Sequence, residues 1–421
     1  MNKIVERASA PTPKFFKVLR TVGLALAAVG GSSSMIVNLI VGFFVGLCSG
    51  ASVVISQFYG AKDHKNLKKA LHTSMIFCLA ASIIVGTAGF ILAEPILHLM
   101  KTPAEVIPDS VLYLHIYFAG TFFNLVYNMV SSILRAVGDS KRPLYVLIIT
   151  CLLNILLDVV FVVIFHMGVL GVALATVSCQ AVSAILVTWF LMRAEDIYRL
   201  EFHEIRFDLR SLGAVLRIGL PAGLESVMYN IANLTIQIFV NELGTDTVAA
   251  WGTMGKIDAV FWMVCNAFAI SITTFVGQNY GAGKKERIRT GIREGVILTI
   301  LINIPLALML LCIPEFLTSF MLNDASIISY TRDFLAVTGI CLFPLGWLFV
   351  FRNGCQGMGH TFVPMLSGVL EVSLRVVMVK LLTPYLAFRG VALAEVSAWI
   401  GAWIMLMITY WIYQERTDSF R

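Results

Sequence analysis

Residues 143–166 read PLYVLIITCLLNILLDVVFVVIFH, an apolar run with one acidic side chain, Asp158. A membrane-spanning helix needs about 20 predominantly apolar residues to cross roughly 30 Å of hydrocarbon. Similar runs recur between Met35 and Trp411, and the 421 residues are 58% hydrophobic and 13% charged. Soluble chains carry about 25% charged residues, so the sequence predicts a protein whose main solvent is lipid.

The apolar runs predict helices, because a chain in lipid must satisfy its backbone hydrogen bonds internally. The sequence also lacks the alternating ten-residue segments of membrane β-barrels. Pro305 and Pro344 should kink their spans, since proline has no backbone N–H to donate. The predicted fold is all-α and polytopic, with about eleven transmembrane helices. The predicted spans are 32–58, 71–93, 110–134, 143–166, 169–192, 219–242, 247–276, 292–313, 328–352, 363–384 and 389–413.

Basic residues lie almost entirely in the connections on one side of the membrane. Cytoplasmic loops carry an excess of Lys and Arg, so we predict that this side and the C-terminus are cytoplasmic in a multi-pass cell-membrane protein. The net charge of +6 then reflects topology, and no nucleic-acid partner is expected. The eight cysteines form no close pair, so neither a disulfide framework nor a zinc site is expected. The basic side carries Lys62, Lys65, Lys68, Lys69, Arg135, Lys141, Arg142, Arg193, Arg206, Arg210, Arg217, Lys284, Lys285, Arg287, Arg289 and Arg293.

The sequence contains an internal repeat. SQFYGA, which includes Gln57, resembles GQNYGA, which includes Gln278, and GVALA occurs twice, starting at Gly171 and at Gly390. The two glutamines are 221 positions apart and the two glycines 219. Because both copies place their basic loops on the same side, the repeat is parallel, and a substrate path is expected between the halves. We therefore predict two parallel-repeat helical bundles around a central cavity, an arrangement suited to alternating access.

The repeat also predicts a helix that the sequence does not supply. Span 219–242, shifted back by the repeat distance, would end near residue 21, but residues 1–20 read MNKIVERASAPTPKFFKVLR. This stretch is too short and too charged to span a bilayer. We therefore expect the first helix to be missing, leaving five helices in the first bundle and six in the second, because of a shortened or frame-disturbed gene start. The predicted divisions are a basic N-terminal tail (1–22), an N-lobe (23–192), a cytoplasmic linker (193–217), a C-lobe (218–413) and a cytoplasmic tail (414–421).

Six short motifs follow one another along the chain: AAVG from 27, SQFYGAK from 56, LRAVGD from 134, NILLD from 154, GLP from 219 and GQNYGA from 277. Together they resemble the multidrug and toxic compound extrusion (MATE) family. The Gln-x-Tyr-Gly-Ala and Asn-x-x-x-Asp patterns are most similar to its DinF-like branch. The resemblance covers about residues 23–413. It implies two six-helix lobes that expel cationic or amphiphilic compounds against a gradient of Na+ or H+.

Asp158 is the most informative polar residue, because an ionisable group inside a span is costly and usually faces a cavity or a partner. Asn154 lies one helical turn earlier on the same face, and Thr176 of the next, antiparallel span lies at a similar depth. Their oxygens could coordinate a hard cation, with Na+ as the candidate metal, or the carboxylate could carry a proton. A structural carboxylate is the alternative. In the resembling family this Asn, Asp and Thr form the amino-lobe cation site, which also takes an aspartate from the first helix.

The second half has ionisable residues of its own inside spans. Glu371 and Arg375 are four positions apart and should pair directly, which favours a structural role. Glu395 occupies the repeat position of the candidate threonine, and Glu225 and Asp258 lie in the first two spans of this half. These four acids are candidate substrate contacts for a cation, or proton carriers. A mutually neutralising network is equally consistent with the sequence.

The sequence favours a secondary active exporter of cationic or amphiphilic small molecules, acting as a monomer and using Na+ or H+ with no other cofactor. A flippase for lipid-linked oligosaccharides is an alternative, but pyrophosphate would require a strongly cationic cavity, and basic residues inside spans are few. An intramembrane enzyme is not indicated, since H-E-x-x-H, G-x-S-x-G and G-x-x-x-x-G-K-S/T do not occur in the sequence. An inactive truncated copy is the remaining alternative.

Overall fold

The structure is a computed structural model that describes residues 29–201, 203, 206–319 and 324–418, with only the backbone described for 325, 326 and 414–418. Within these ranges the chain is helical and contains no β-strand. All eleven predicted spans coincide with helix, which confirms the all-α prediction. The expected basic tail (1–22) and the place of a first helix lie outside the described residues.

Thirteen α-helices and one π-helical segment follow one another through the described part of the chain. They are α1 (Ser32–Gly60), α2 (His64–Leu99), α3 (Ile107–Ala136), α4 (Lys141–Asp158) with the π-helical segment Val159–Ile164, α5 (Gly168–Met192), α6 (Leu209–Glu242), α7 (Thr245–Gly281), α8 (Lys285–Cys312), α9 (Pro314–Ser319), α10 (Ala325–Ile340), α11 (Leu342–Gly357), α12 (Phe362–Leu386) and α13 (Phe388–Asp418).

Most of these helices are suited to a bilayer. Among the described residues, nine are each long and apolar enough to cross it, and the bent pair α10–α11 makes a tenth candidate. The remaining predicted span coincides with α6, which is not one of the ten. Polar residues such as Glu225, Asn230 and Asn233 lower the hydropathy of α6. The chain is therefore a multi-pass membrane protein in which one long helix is distinctly more polar than the others.

The predicted span 328–352 is broken rather than continuous. Its two parts, Ile327–Ile340 and Leu342–Gly357, are bent by 51°. Pro344 lies in the first turn of α11, where its ring and missing N–H prevent α10 from continuing. The Cys341 N–H donates instead to the Thr338 carbonyl at 3.0 Å. The kink expected at Pro344 is confirmed, and it takes the form of a full break.

Two compact units divide the chain, and α1 contributes to both. The first comprises the described parts of Met1–Val41, His72–Leu134 and Asp139–Phe207, and the second comprises those of Gly42–Leu71, Arg135–Gly138 and Asp208–Arg421. The lobe and linker bounds expected from the repeat stay a prediction.

The first unit has an apolar core built from α1, α2, α3 and α5, with Ile36, Leu97, Phe118 and Ala173 among its buried members. α4 packs against α5. Much of the remaining α4 surface is apolar and exposed, as at Leu152, which is 64% exposed. In a membrane protein such a surface is the one that contacts lipid, so α4 has one protein-facing side and a broad lipid-facing side.

The second unit packs α12 along α13 and α6, and α11 along α7 and α13. α1 joins it through glycines. A Cβ added to Gly46 would overlap the backbone of Gly223, and one added to Gly50 would overlap that of Gly219. Small residues in such register let two membrane helices approach at backbone contact, and this approach fixes α1 against the polar helix α6.

The repeated motif makes equivalent contacts in both copies, all of them within the second unit. Gln57 Nε2 donates to the Gly357 carbonyl at 2.9 Å, and Gln278 Nε2 donates to the Ala136 carbonyl at 2.8 Å. Both the two donors and the two acceptors are 221 positions apart. Each acceptor lies at the end of a helix, where a carbonyl has no partner in its own helix. The parallel repeat read from the sequence therefore has a structural counterpart.

Candidate functional site

The second unit contains a cavity of about 390 Å3 between α1, α6, α7, α11 and α12. This volume is within the range of roughly 300–1,000 Å3 that is typical of small-molecule sites. The glycine face of α1 forms one wall, and aromatic rings form another. Tyr229 and Trp262 have ring centroids 4.9 Å apart, and Trp262 and Phe349 have centroids 5.3 Å apart. Aromatic faces of this kind attract organic cations.

Charged side chains form the floor of the cavity. Arg352 bridges two carboxylates, with Nη1 2.9 Å from Glu225 Oε1 and Nη2 2.9 Å from Glu371 Oε2. Glu225, Arg352 and Glu371 all line the cavity. Their side chains are only 17%, 12% and 6% exposed. A cation entering the cavity would therefore meet carboxylates that are already partly neutralised by a guanidinium group.

A second and more buried arginine, Arg375, contacts the same group of charged side chains. Arg375 Nη2 lies 3.0 Å from Glu371 Oε1 and 3.2 Å from Glu395 Oε2, and its side chain is 1% exposed. Its Nη1 donates to Asn233 Oδ1 at 3.2 Å, and its guanidinium lies 5.4 Å from the centre of the Tyr229 ring. Buried charges persist when they are paired and hydrogen-bonded on several sides, and Arg375 meets that condition.

Asp258 adds a fourth carboxylate, which interacts electrostatically with Glu395 and Arg375. We call Glu225, Asp258, Arg352, Glu371, Arg375 and Glu395 the buried charge network. With every member ionised, four carboxylates face two guanidinium groups, which leaves two negative charges in excess. Either protons on the carboxylates or a cation from outside would neutralise this excess.

All four acids that the sequence singled out in the second half belong to this network. The expected direct pair of Glu371 and Arg375 is confirmed at 3.0 Å. Arg352 was missed, although it ends the predicted span 328–352. An arginine inside an apolar span is itself a signal for a functional or paired group. The sequence could therefore have identified Arg352, but not the two carboxylates that it joins.

The first unit holds the other candidate set. Asp158 is the last residue of α4, immediately before the π-helical segment. Its Oδ1 is buried and has no hydrogen-bond partner among the residues described. Asn154 makes a side-chain hydrogen bond with Cys179 of α5. The Thr176 hydroxyl donates to the Val172 carbonyl in its own helix at 2.9 Å.

These contacts place the three candidates on helices that pack together, α4 and α5. Asn154 reaches across to α5, and Asp158 acts electrostatically on Cys179 of that helix. Thr176 donates within its own helix, so its oxygen keeps a lone pair for another partner. In the described ranges no three His, Cys, Asp or Glu side chains come together as a metal site. A cation here would be held by one carboxylate and neutral oxygens, as suits a monovalent ion or a proton.

The π-helical segment was not expected, because the run 143–166 predicts one regular helix. The Phe165 N–H donates to the Val160 carbonyl five residues earlier, at 2.9 Å. His166 and Gly168 follow with φ of 54° and 56°. Single π-turns occur frequently at functional positions in α-helices. Here the irregular backbone begins directly after the buried carboxylate.

Comparison with known proteins gives a consistent result. The MatE family model matches residues 18–160 and 221–381. The chain is 30% identical to the "Probable multidrug resistance protein YpnP" of Bacillus subtilis over 64% of this chain and 60% of that protein, so it spans less than two thirds of that relative's length. It is 29% identical to "Probable multidrug resistance protein YoeA" of the same organism over 76% of this chain and 70% of that protein. A solved structure described as the outward-facing conformation of a multidrug resistance MATE family transporter of the MOP superfamily shares the fold, with a TM-score of 0.87 and 21% identity over 93% of this chain and 88% of that one.

Proposed function

The chain belongs to the MatE family, and on this premise we propose that it is a secondary active exporter of organic cations. The relatives YpnP and YoeA are named as multidrug resistance proteins, which supports export of small molecules. The observation that carries the proposal is the buried charge network, where four carboxylates face two guanidinium groups beside an aromatic wall.

The cavity favours an organic cation for two physical reasons. Excess carboxylate in a water-poor site attracts positive charge strongly, since Coulomb energies rise as the effective dielectric constant falls. The Tyr229, Trp262 and Phe349 rings provide flat apolar surfaces for the body of the molecule. The aromatic rings thus recognise the apolar body of a substrate, and the carboxylates recognise its positive charge. A cavity that selects only for these two properties can bind many compounds.

The network argues against a flippase for lipid-linked pyrophosphates. Both arginines are paired with carboxylates at 2.9–3.2 Å. A pyrophosphate would have to displace these carboxylates and remain beside them, and like charges in close contact cost several kcal/mol. Cationic cargo requires no such displacement of acidic groups.

Asp158, Asn154 and Thr176 are the proposed coupling site, with Na+ or H+ as the ion. Asp158 supports this role because its Oδ1 is buried and lacks a partner within the described ranges. A bound Na+ or a proton would satisfy that oxygen. We further propose that the chain belongs to the DinF-like branch, acts as a monomer, and has its basic loops on the cytoplasmic side.

The first test is efflux of ethidium from cells that express the full chain. Glu225→Gln and Glu371→Gln are each expected to lower the efflux rate at least tenfold, because each removes one of the carboxylates that face the cavity. Glu286→Gln is the matched control, since Glu286 lies in the first turn of α8 and is 88% exposed. It should export at the rate of the unaltered protein.

Equal efflux from all four proteins would contradict a role for these carboxylates. No efflux of any organic cation from the unaltered protein, with the chain present in the membrane, would contradict export and favour an inactive copy. Imposing a sodium gradient alone and then a proton gradient alone on vesicles identifies the coupling ion in the same system.

A further inference from the structure

The two arginines of the buried charge network differ in how firmly they are held. Arg375 contacts Glu371, Glu395 and Asn233, and its side chain is 1% exposed. Arg352 is held by Glu225 and Glu371, lines the cavity and is 12% exposed. The Nε of both arginines is buried without a hydrogen-bond partner among the described residues, so the difference between them lies in their Nη contacts and in their exposure. The third contact of Arg352, from Nη2 to Ser367 Oγ, is 3.5 Å long and therefore weak.

The carboxylates that Arg352 joins also differ. Glu371 would keep Arg375 as a partner if Arg352 moved away. Glu225 would keep none, because Arg352 is its one ion-pair partner in the described part of the chain. An uncompensated buried charge is strongly unfavourable. Glu225 therefore needs a positive partner whenever it is ionised, and in this structure Arg352 supplies it.

We propose that Arg352 determines the charge selectivity of the cavity, as a tethered counter-cation that a cationic substrate must displace from Glu225. This inference rests on the proposed export of organic cations. Neutral molecules cannot replace the guanidinium group, because they would leave an ionised Glu225 unpaired. A monocation replaces it one for one, and the released Arg352 keeps its second contact, to Glu371. A substrate must therefore carry at least one positive charge to replace Arg352 and bind in the cavity.

The experiment measures equilibrium binding of ethidium and propidium to the purified full chain in lipid nanodiscs. The two dyes share a phenanthridinium body, and propidium carries an additional quaternary ammonium. Arg352→Gln removes the internal competitor and is expected to raise ethidium affinity at least tenfold, with a still larger rise for propidium. Arg352→Lys should give a smaller rise of about threefold, because a single ammonium cannot bridge two carboxylates as a guanidinium fork does.

Two further variants separate charge selectivity from a structural effect. Glu225→Gln combined with Arg352→Gln should lose the gain in affinity, since the released carboxylate is then absent. Arg332→Gln is the matched control, because Arg332 is 52% exposed and pairs with Glu315 outside the network. It should bind both dyes like the unaltered protein.

Unchanged or lower affinity of folded Arg352→Gln, while the unaltered protein binds ethidium, would overturn this inference and leave the proposed function standing. A gain that survives Glu225→Gln would also overturn it. Absence of dye binding in the unaltered protein and every variant would overturn the proposed function itself. If Arg352→Gln does not fold, the lysine variant decides: no rise for either dye refutes the inference.

Discussion

The helix pairs α4–α5 and α12–α13 occupy equivalent places in the two copies of the repeat, yet they carry different chemistry. Arg375 follows Asn154 by 221 positions, and Glu395 follows Thr176 by 219. In the first copy Asn154 reaches across to α5 through a hydrogen bond to Cys179. In the second copy Arg375 reaches across to α13 through an ion pair with Glu395 of 3.2 Å. One helix pair is therefore joined by neutral groups and the other by full charges.

The two copies also differ at the position of Asp158. Asp158 has a fully buried valine, Val379, at its repeat position. Among the described residues, Asp158 in the first copy has an oxygen without a hydrogen-bond partner and makes no ion pair, whereas several acids in the second copy share two arginines. A lone acid responds to one small cation or proton, while an excess of acids in a network can neutralise a larger cation. Under the proposed function, the two copies of the repeat would carry two kinds of cation chemistry.

The largest effect is expected from breaking the ion pair between Arg375 of α12 and Glu395 of α13. Arg375→Gln leaves Glu371 and Glu395 without their shared partner, and breaking a buried pair costs about 3–5 kcal/mol. We expect the free energy of unfolding to fall by that amount. Asn154→Ala removes a neutral contact at the equivalent position and should cost about 1 kcal/mol or less. Thermal unfolding in detergent, followed by circular dichroism, measures both variants.

Lys380→Gln is the control for Arg375→Gln, because Lys380 is an exposed cation on the same helix, α12. Its effect should stay within about 0.5 kcal/mol. Equal decreases in the free energy of unfolding for Arg375→Gln and Asn154→Ala would show that the α12–α13 and α4–α5 contacts contribute equally to stability. The comparison between the two helix pairs would then lose its basis.

A second prediction separates stability from transport at Asp158. Because Oδ1 of this residue has no hydrogen bond to lose among the described residues, Asp158→Asn should change the free energy of unfolding by less than about 1 kcal/mol. Gradient-driven ethidium efflux should nevertheless fall at least tenfold, because an amide neither carries a proton nor neutralises a cation. Asp246→Asn, which alters an exposed acid in the first turn of α7, should change neither quantity. Full efflux from Asp158→Asn would remove this residue from the coupling site.

Features that depend on neighbouring positions were the ones that the sequence predicted well. The spans follow from local hydropathy, and the Glu371–Arg375 pair follows from helical spacing, so both are found in the structure. The break at Cys341 was predicted as a kink because Pro344 has a purely local effect. The internal repeat also allowed a prediction over a long sequence distance, since it relates positions that are more than two hundred residues apart.

Features that depend on packing between distant segments were not predictable in the same way. The sequence shows that Glu225 and Arg352 lie inside helical segments, but not that their helices, α6 and α11, bring the two side chains to 2.9 Å. The π-helical segment Val159–Ile164 also escaped, because its composition is that of an ordinary apolar helix. Hydropathy and periodicity report which side chains are buried or apolar, and neither reports which buried charges meet.

The smallest expected effect concerns the loops that follow the two motif copies, where backbone is shared and side chains differ. Lys62 and Gly283 occupy equivalent positions and both have positive φ, 56° and 68°. The next residues, Asp63 and Lys284, immediately precede α2 and α8. Asp63 Oδ1 accepts a hydrogen bond from the Asn66 N–H at 3.1 Å, whereas Lys284 makes no side-chain cap hydrogen bond. The second copy therefore lacks a cap that the first copy has.

Lys284→Asp supplies that cap and should raise the free energy of unfolding by about 0.5–1 kcal/mol. Hydrogen bonds from Asn66 lower the pKa of Asp63, and the new carboxylate should behave likewise. A lowered folded-state pKa means that the gain is present above the unfolded-state pKa of about 3.9 and is lost as the pH falls through the folded-state value. The increase in Tm of Lys284→Asp should thus be present near neutral pH and shrink below about pH 4. Lys284→Asn supplies a neutral cap, so its increase in Tm should be the same near neutral pH and below about pH 4. A pH-independent gain in Lys284→Asp would show that loss of the lysine charge, and not capping, stabilises the loop.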